Sequence, residues 1–427
     1  MTTTGAKKKS SAFALLQRFG RSLMLPIASL PAAALLLRIG QPDMLGADGL
    51  GAHASWLVPV ASVLAAAGGA LFENLPMLFA LGVAVGFARK SDGSTGLAAV
   101  IGYLVMTNVF KALAPYFGAG APGEEKINYG VLAGIVIGLV AAKLYEKFYR
   151  VKLPTYLAFF GGRRFVPIIT AASAVVVATL MSFFYPVFNK VVNVWIGGFI
   201  IDHGSNPITG FIFGTINRLL IPFGLHHLLN SLPWFQLGTC ANANGEELHG
   251  DLTCFLSGTA ETADWTGGFM TGFFPIMMFA IPAIALAFWR TAMPARRKAI
   301  FGVMFSLALT SFLTGVTEPV EFAFAYVAFP LYVVHALLTG SALALTNALG
   351  IKHGFGFSAG AFDYLLNFTK ASTLSGGAGQ VLLLLGIGLV YGAIYYFIFT
   401  WAINKFNLAT PGREEEGAES DATAVFE

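Results

Sequence analysis

Residues 299–324 read AIFGVMFSLALTSFLTGVTEPVEFAF. The run from 299 to 315 is apolar and uncharged, and another apolar stretch continues from 322 to 349. Between them stand two carboxylates, Glu318 and Glu321, with Pro319 beside the first. Proline has no N–H to donate and disfavours helical geometry at the residue before it, so a bend is expected at Glu318. Broken apolar segments that carry charge survive at membrane depth only when buried in protein or lining a cavity. Glu321 is expected to support the bend.

The whole chain has the same character. Hydrophobic residues make up 56% of it and charged residues 11%, whereas a soluble globular protein carries about 25% charged residues. A chain of 427 residues this apolar needs the bilayer as a second solvent. Apolar stretches run through 23–39, 71–88, 97–115, 130–145, 166–188, 207–222, 268–289, 299–315, 322–349 and 380–403. The reading is an all-α polytopic membrane protein. The run at 23–37 has two prolines and no convincing cleavage site, so it is expected to be a retained span rather than a signal peptide.

The net charge of +4 comes from short basic clusters between apolar runs, not from one patch, and does not point to nucleic acid. The clusters include Lys7 to Lys9, Arg89 with Lys90, residues 143–152, Arg163 with Arg164, Arg296 to Lys298, and Lys405 with Arg413. The positive-inside rule places these, and both termini, in the cytoplasm. Residues 146–164, EKFYRVKLPTYLAFFGGRR, mix basic and aromatic side chains and suit the membrane surface. The tail with Glu414 to Glu416 is expected to be disordered.

A second broken segment is NRLLIPFGLHHLLN at 217–230. Arg218 and His226 are expensive at membrane depth and need partners or a polar cavity. On a regular helix they would lie about 80° apart, so both can face one cavity, although snorkelling to water is the alternative. No metal-ligand set stands at useful spacing around His226 and His227, and no metal or cofactor is implied. Glu318 can accept hydrogen bonds from ligand hydroxyls or act as a base toward one. The alternative for it is a salt bridge with Arg218 or a loop arginine.

The longest polar stretch, 236–266, contains GTCANANGEELHGDLTCFLSG at 238–258. Its two cysteines, Cys240 and Cys254, form no CxxC pair. They are either unrelated thiols or, if the insert faces outside, one disulfide. An outside insert leaves residues 208–234 too short for two crossings at ~20 residues each, so part of that segment is expected to be re-entrant.

Several stretches together resemble enzyme IIC of the phosphotransferase system, in its glucose/N-acetylglucosamine family. They are LMLPIASLPAAALLLRIGQPD (23–43), NRLLIPFGLHHLLN, ELHGD (247–251), GFFPIMMF (272–279), FLTGVTEPVEF (312–322) and NLATPGRE (407–414). LLLRIGQPD, INRLLIP, TGFFPIMMF and GFGFSAGAFDY resemble the N-acetylglucosamine branch, while FGLHH is nearer the glucose pattern. The resemblance implies about ten membrane helices with two re-entrant hairpins, usually as a homodimer in the bacterial inner membrane.

It further implies a cytoplasmic segment 1–20, a scaffold half 21–165, a sugar-carrying half 166–404 and a tail 405–427. Arg218, His226 and Glu318 match sugar contacts, with Asn217, Glu321 and Asp363 as further candidates and His226 and Glu318 as the catalytic pair. Many relatives carry a fused IIB domain with a phosphocysteine after the TPGRE segment. No cysteine follows it here, so a separate phosphorylated IIB protein is the expected partner. An ion-coupled sugar transporter and a non-transporting sensor are the competing readings.

Overall fold

A computed structural model describes residues 18–413 except 20–21, 24–25, 27–29, 121–124, 197, 199–202 and 326–327. Lys7 to Lys9, the acidic tail from Glu414, and parts of the expected first span lie outside the described residues. The chain is mostly helical. Among the described residues six helices are long and apolar enough to cross a membrane: Gly93–Phe117, Gly162–Ile196, Phe273–Thr291, Arg297–Thr314, Phe329–Ala348 and Ala378–Phe406. A bent pair, Leu57–Glu73 with Leu75–Phe87 at 54°, makes a seventh if it counts as one span.

The chain divides into two compact units. The first comprises Met1–Ala33, Ala66–Gly198 and Phe223–His227. Its core is built largely of alanine, with Ala80, Ala84, Ala98, Ala99, Ala133, Ala141, Ala142, Ala174 and Ala178 all buried. Small side chains let helix backbones approach closely where lipid supplies no hydrophobic drive. Gly134 shows how close: a Cβ there would stand 1.9 Å from the Pro76 carbonyl oxygen. At one end Tyr129 packs on Tyr185 and Phe188 and donates its hydroxyl to the Met181 carbonyl. Elsewhere in this unit Arg18 pairs with Glu146 at 2.6 Å, and Arg163 with Asp92 at 2.9 Å. Asp92 also caps the helix Gly93–Phe117 by accepting from the Ser94 N–H.

The second unit comprises Ala34–Ala65, Phe199–Pro222 and Leu228–Glu427. Its helices Pro207–Leu220 and Phe329–Ala348 cross on glycine. Gly210, Gly214 and Gly340 lie where a Cβ would meet Asn347 Nδ2 at 2.7 Å, Leu343 at 3.0 Å and Thr215 Oγ1 at 2.2 Å. Asn347 Nδ2 also spans the carbonyls of Gly204, Asn206 and Gly268.

The polar insert is a small folded piece. Strands Thr239–Ala241 and Glu247–His249 pair antiparallel with Cys240 opposite Leu248, and a helix Asp251–Ser257 follows. Cys240 and Cys254 form a disulfide, so of the two readings of these thiols the crosslink holds. Asp251 is buried and accepts the N–H groups of Gly267 (2.6 Å) and Phe269 (3.0 Å), closing the insert onto the chain that leaves it.

The bend near Glu318 has a different origin from the expected one. The helix Arg297–Thr314 ends on Gly315 in the left-handed conformation, φ 74°. Pro319 then sits in the first turn of a new helix, Glu318–Ala325, where its missing N–H costs nothing and its fixed φ suits the helix. Gly315 breaks the chain and Pro319 restarts it.

Candidate functional site

The second unit gathers most of the expected polar residues. Arg218 lies near the end of Pro207–Leu220, and its guanidinium is buried. Nη1 donates to Glu321 Oε1 at 2.8 Å and to Thr317 Oγ1 at 3.2 Å. The guanidinium lies 5.0 Å from the centre of the Phe273 ring, a cation–π distance. The Tyr332 hydroxyl donates to the Arg218 carbonyl and fixes the backbone beneath it.

Glu321 bonds Thr317 at the bend, its N–H donating to the Thr317 carbonyl at 3.0 Å, and does more besides. It is fully buried and joins two partners, since Oε1 also meets His335 Nε2 at 3.1 Å. His335 Nδ1 in turn lies 2.9 Å from the Tyr395 hydroxyl. A chain of four side chains therefore runs Arg218–Glu321–His335–Tyr395 through the unit. Glu321 faces Arg218 because the helix restarts at Glu318, which sets the angle of the residue three positions on.

The cluster is not saturated. Arg218 Nε and Nη2 and Glu321 Oε2 are buried and have no hydrogen-bond partner among the described residues. Leaving such groups unmet costs about 1–3 kcal/mol each, and in a native protein that cost marks a place for a ligand or water. Glu318, half-buried, accepts from the Thr317 N–H at 3.1 Å and lies within electrostatic reach of both Arg218 and Glu321.

Other candidates have their own tasks. Asn217 Nδ2 donates to Asn230 Oδ1 at 2.6 Å, and both side chains are buried. The Asp363 oxygens accept the N–H groups of Gly356 (2.7 Å) and Ser358 (3.3 Å). Ser358 Oγ then donates to the Gly315 carbonyl at 2.9 Å. Asp363 thus shapes the loop that packs against the Gly315 break. His226 and His227 open the helix His226–Phe235 after Gly224, φ 68°, and group with the first unit. Their rings lie 3.8 Å apart, and His226 is buried.

His335, Tyr395, Thr317 and Asn230 escaped the sequence reading. Only His335 carried a usable signal, as an ionisable residue inside the apolar run FPLYVVHALLTG at 329–340.

A guanidinium with free N–H groups beside a carboxylate with a free oxygen offers donors and acceptors side by side. Their charges offset each other. That suits a neutral polyhydroxylated ligand, each hydroxyl of which both gives and takes a hydrogen bond.

Residues 20–340 match the family described as "Phosphotransferase system, EIIC". The chain is 48% identical over 428 residues to the "PTS system N-acetylglucosamine-specific EIIC component" of Streptomyces coelicolor, covering 99% of this chain and 98% of that protein. It is 45% identical to the "PTS system N-acetylglucosamine-specific EIICBA component" of Escherichia coli, covering 94% of this chain but 57% of that longer protein. A "PTS system glucose-specific EIICBA component" of Staphylococcus saprophyticus is 42% identical, with 97% of this chain and 62% of that protein covered.

Proposed function

Because the chain belongs to the phosphotransferase system EIIC family, we propose that it carries N-acetylglucosamine across the bacterial cytoplasmic membrane and presents the 6-hydroxyl for phosphorylation. Its apolar helices and its family make it a multi-pass membrane protein. The observation that carries the sugar assignment is the end-to-end likeness, at 48% identity, to a relative named for N-acetylglucosamine. Glucose is the second reading, favoured by FGLHH at 223–227 and by the glucose-specific relative.

In this reading the sugar meets Arg218 Nε and Nη2 and the free oxygen of Glu321, with Glu318 at the reacting hydroxyl, and His226 is kept as a catalytic candidate from its sequence motif. The sugar oxygen attacks the phosphorus of a phosphocysteine on a separate IIB protein. The S–P bond breaks, the thiolate leaves, and the hydroxyl proton passes to a carboxylate, for which Glu318 is the candidate. Catalysis of this kind is mostly positioning and charge stabilisation. The charged product no longer suits a site that fits neutral hydroxyls, which favours release.

Residues 21–165 are read as the scaffold half of a homodimer and 166–404 as the sugar-carrying half, with two re-entrant segments and both termini in the cytoplasm. Helices of 14 residues at Pro207–Leu220 and 10 at His226–Phe235 support re-entry, being shorter than the ~20 residues a crossing needs.

The test is calorimetric titration of purified protein with N-acetylglucosamine and with glucose, followed by phosphorylation with a IIB protein added. Tighter binding of glucose would reverse the sugar assignment. Uptake abolished by an uncoupler but indifferent to phosphoenolpyruvate would replace group translocation with ion coupling.

A further inference from the structure

Three membrane-length helices end at one cavity of about 570 Å³ in the second unit. Phe273–Thr291 and Ala378–Phe406 finish there and Arg297–Thr314 begins there. Ends of spanning helices lie where bilayer meets water, and Trp401, Met293 and Phe301 are exposed around this one. The walls include Arg290, Arg297, Arg413, Tyr396, Thr400 and Asn404, and among the described residues no carboxylate lines it.

The cavity is built rather than incidental. The closing segment is tied to the turn after Thr291, where the Met293 N–H donates to the Gly412 carbonyl at 3.1 Å. Gly412 has φ 84°, and a Cβ there would fall 2.8 Å from Ala292 Cβ. Arg413 Nη1 donates to the Thr291 carbonyl (3.0 Å), and its Nη2 to Asn407 Oδ1 (2.6 Å). Arg297 Nη2 donates to the Arg290 carbonyl at 3.1 Å.

Helix-end carbonyls and the side-chain oxygens of Asn404 and Asn407 account for those Nη groups. The Nε atoms of Arg297 and Arg413 and the Thr400 hydroxyl are buried with no hydrogen-bond partner among the described residues. The Arg290 side chain is exposed at the same cavity. Three like charges converge where two charged donors are left open. A multidentate oxyanion relieves both costs, and guanidinium forks match phosphate geometry.

We propose that this cavity binds a phosphate ester. Arg297 and Arg413 donate to its oxygens through Nε, Thr400 adds a hydroxyl, and Arg290 closes the open side. The phosphate can belong to an anionic lipid headgroup or to a soluble sugar phosphate. The site is separate from Arg218 and does not depend on the sugar assignment.

The test titrates the purified full chain, followed by tryptophan fluorescence and by native mass spectrometry. The probes are dioctanoyl phosphatidylglycerol as the lipid arm, inorganic phosphate and a hexose 6-phosphate as the soluble arm, and dioctanoyl phosphatidylcholine as the control. Saturable binding is expected in the lipid arm, the soluble arm or both, and whichever binds names the source. Arg297→Gln and Arg413→Gln should each weaken it at least about tenfold. Arg290→Gln and Thr400→Val leave the carbonyl caps intact and should weaken it several-fold, whereas Lys298→Gln, exposed and outside the cavity, should not. Titration is repeated with Glu414, Glu415 and Glu416 changed to Gln, so that carboxylates adjoining Arg413 in sequence cannot compete. No saturable binding in either arm, or wild-type affinity in the four cavity variants, would overturn the site.

Discussion

Arg218 and Glu321 stand 103 residues apart in sequence and meet through a hydrogen bond of 2.8 Å with both side chains removed from solvent. A buried pair of this kind is costly to break and cheap to replace. Removing one partner leaves a lone buried charge, at about 3–5 kcal/mol, whereas apolar replacement of both is often neutral. Glu321→Ala should therefore lower the thermal midpoint sharply. The double variant Arg218→Met/Glu321→Leu should recover much of that loss yet bind no sugar. Thermal unfolding read beside sugar titration separates the two effects. Sugar binding by the double variant at wild-type affinity would remove Arg218 from the site.

Glu318→Gln should keep insertion and folding and lose most sugar phosphorylation, by about 10² or more if the carboxylate takes the hydroxyl proton. Initial rates with excess phospho-IIB protein measure it. A rate within twofold of wild type would leave Glu318 a structural residue at the restart of its helix.

His226 should matter more than His227. The first is buried and the second partly exposed, although both follow the Gly224 turn. Uptake by His226→Ala and His227→Ala, each normalised to protein in the membrane, decides between them. The reverse order would move the catalytic assignment to His227.

The disulfide gives a direct test of sidedness. A membrane-impermeant thiol reagent applied to intact cells should label Cys240 and Cys254 only after reduction. Closing a loop of this size contributes about 3 kcal/mol where the chain-entropy account holds, so reduction should also raise hydrogen exchange across 239–258. Labelling that appears only after the membrane is opened would place the insert in the cytoplasm.

Asp251 makes the insert sensitive to pH. Burial pushes its carboxyl up from 3.8 to about 7, against the pull of the Gly267 and Phe269 N–H groups and the charge of Lys352. With the folded value above the unfolded one, the unfolded chain gives up its proton first. Stability of the insert is then highest below about pH 4, falls as pH rises to about 7, and is flat above that. Exchange at the Gly267 and Phe269 amides between pH 5 and 8 reads this out, and Asp251→Asn should flatten the profile. A profile rising in stability with pH would mean the two N–H bonds outweigh burial.

The membrane class of the fold, the disulfide as one of two options, and the breaks at 217–230 and 314–324 were all legible in sequence. Composition and interruptions of apolar runs are local signals. The partner of Arg218 was not legible. Glu318 and Glu321 differ by three residues, and only the point where the helix restarts decides which one turns toward Arg218. Pro319 looked like the breaker because proline usually is one, yet Gly315 takes the left-handed turn and frees Pro319 to begin a helix. His335 and Tyr395 lie 60 residues apart and meet only in the fold. No spacing rule reaches that far.

The glycine crossing of Pro207–Leu220 with Phe329–Ala348 sets terms for anyone wishing to retarget this transporter by directed evolution. The helix that bears Arg218 and the helix that bears His335 approach closely at Gly210, Gly214 and Gly340, where an added methyl would force neighbouring atoms to shift, most of all at Gly340. A mutant library should hold those three positions constant and spend its diversity on Asn217, Asn230 and Thr317. Clones altered at the crossing will mostly be lost before sugar choice is ever screened.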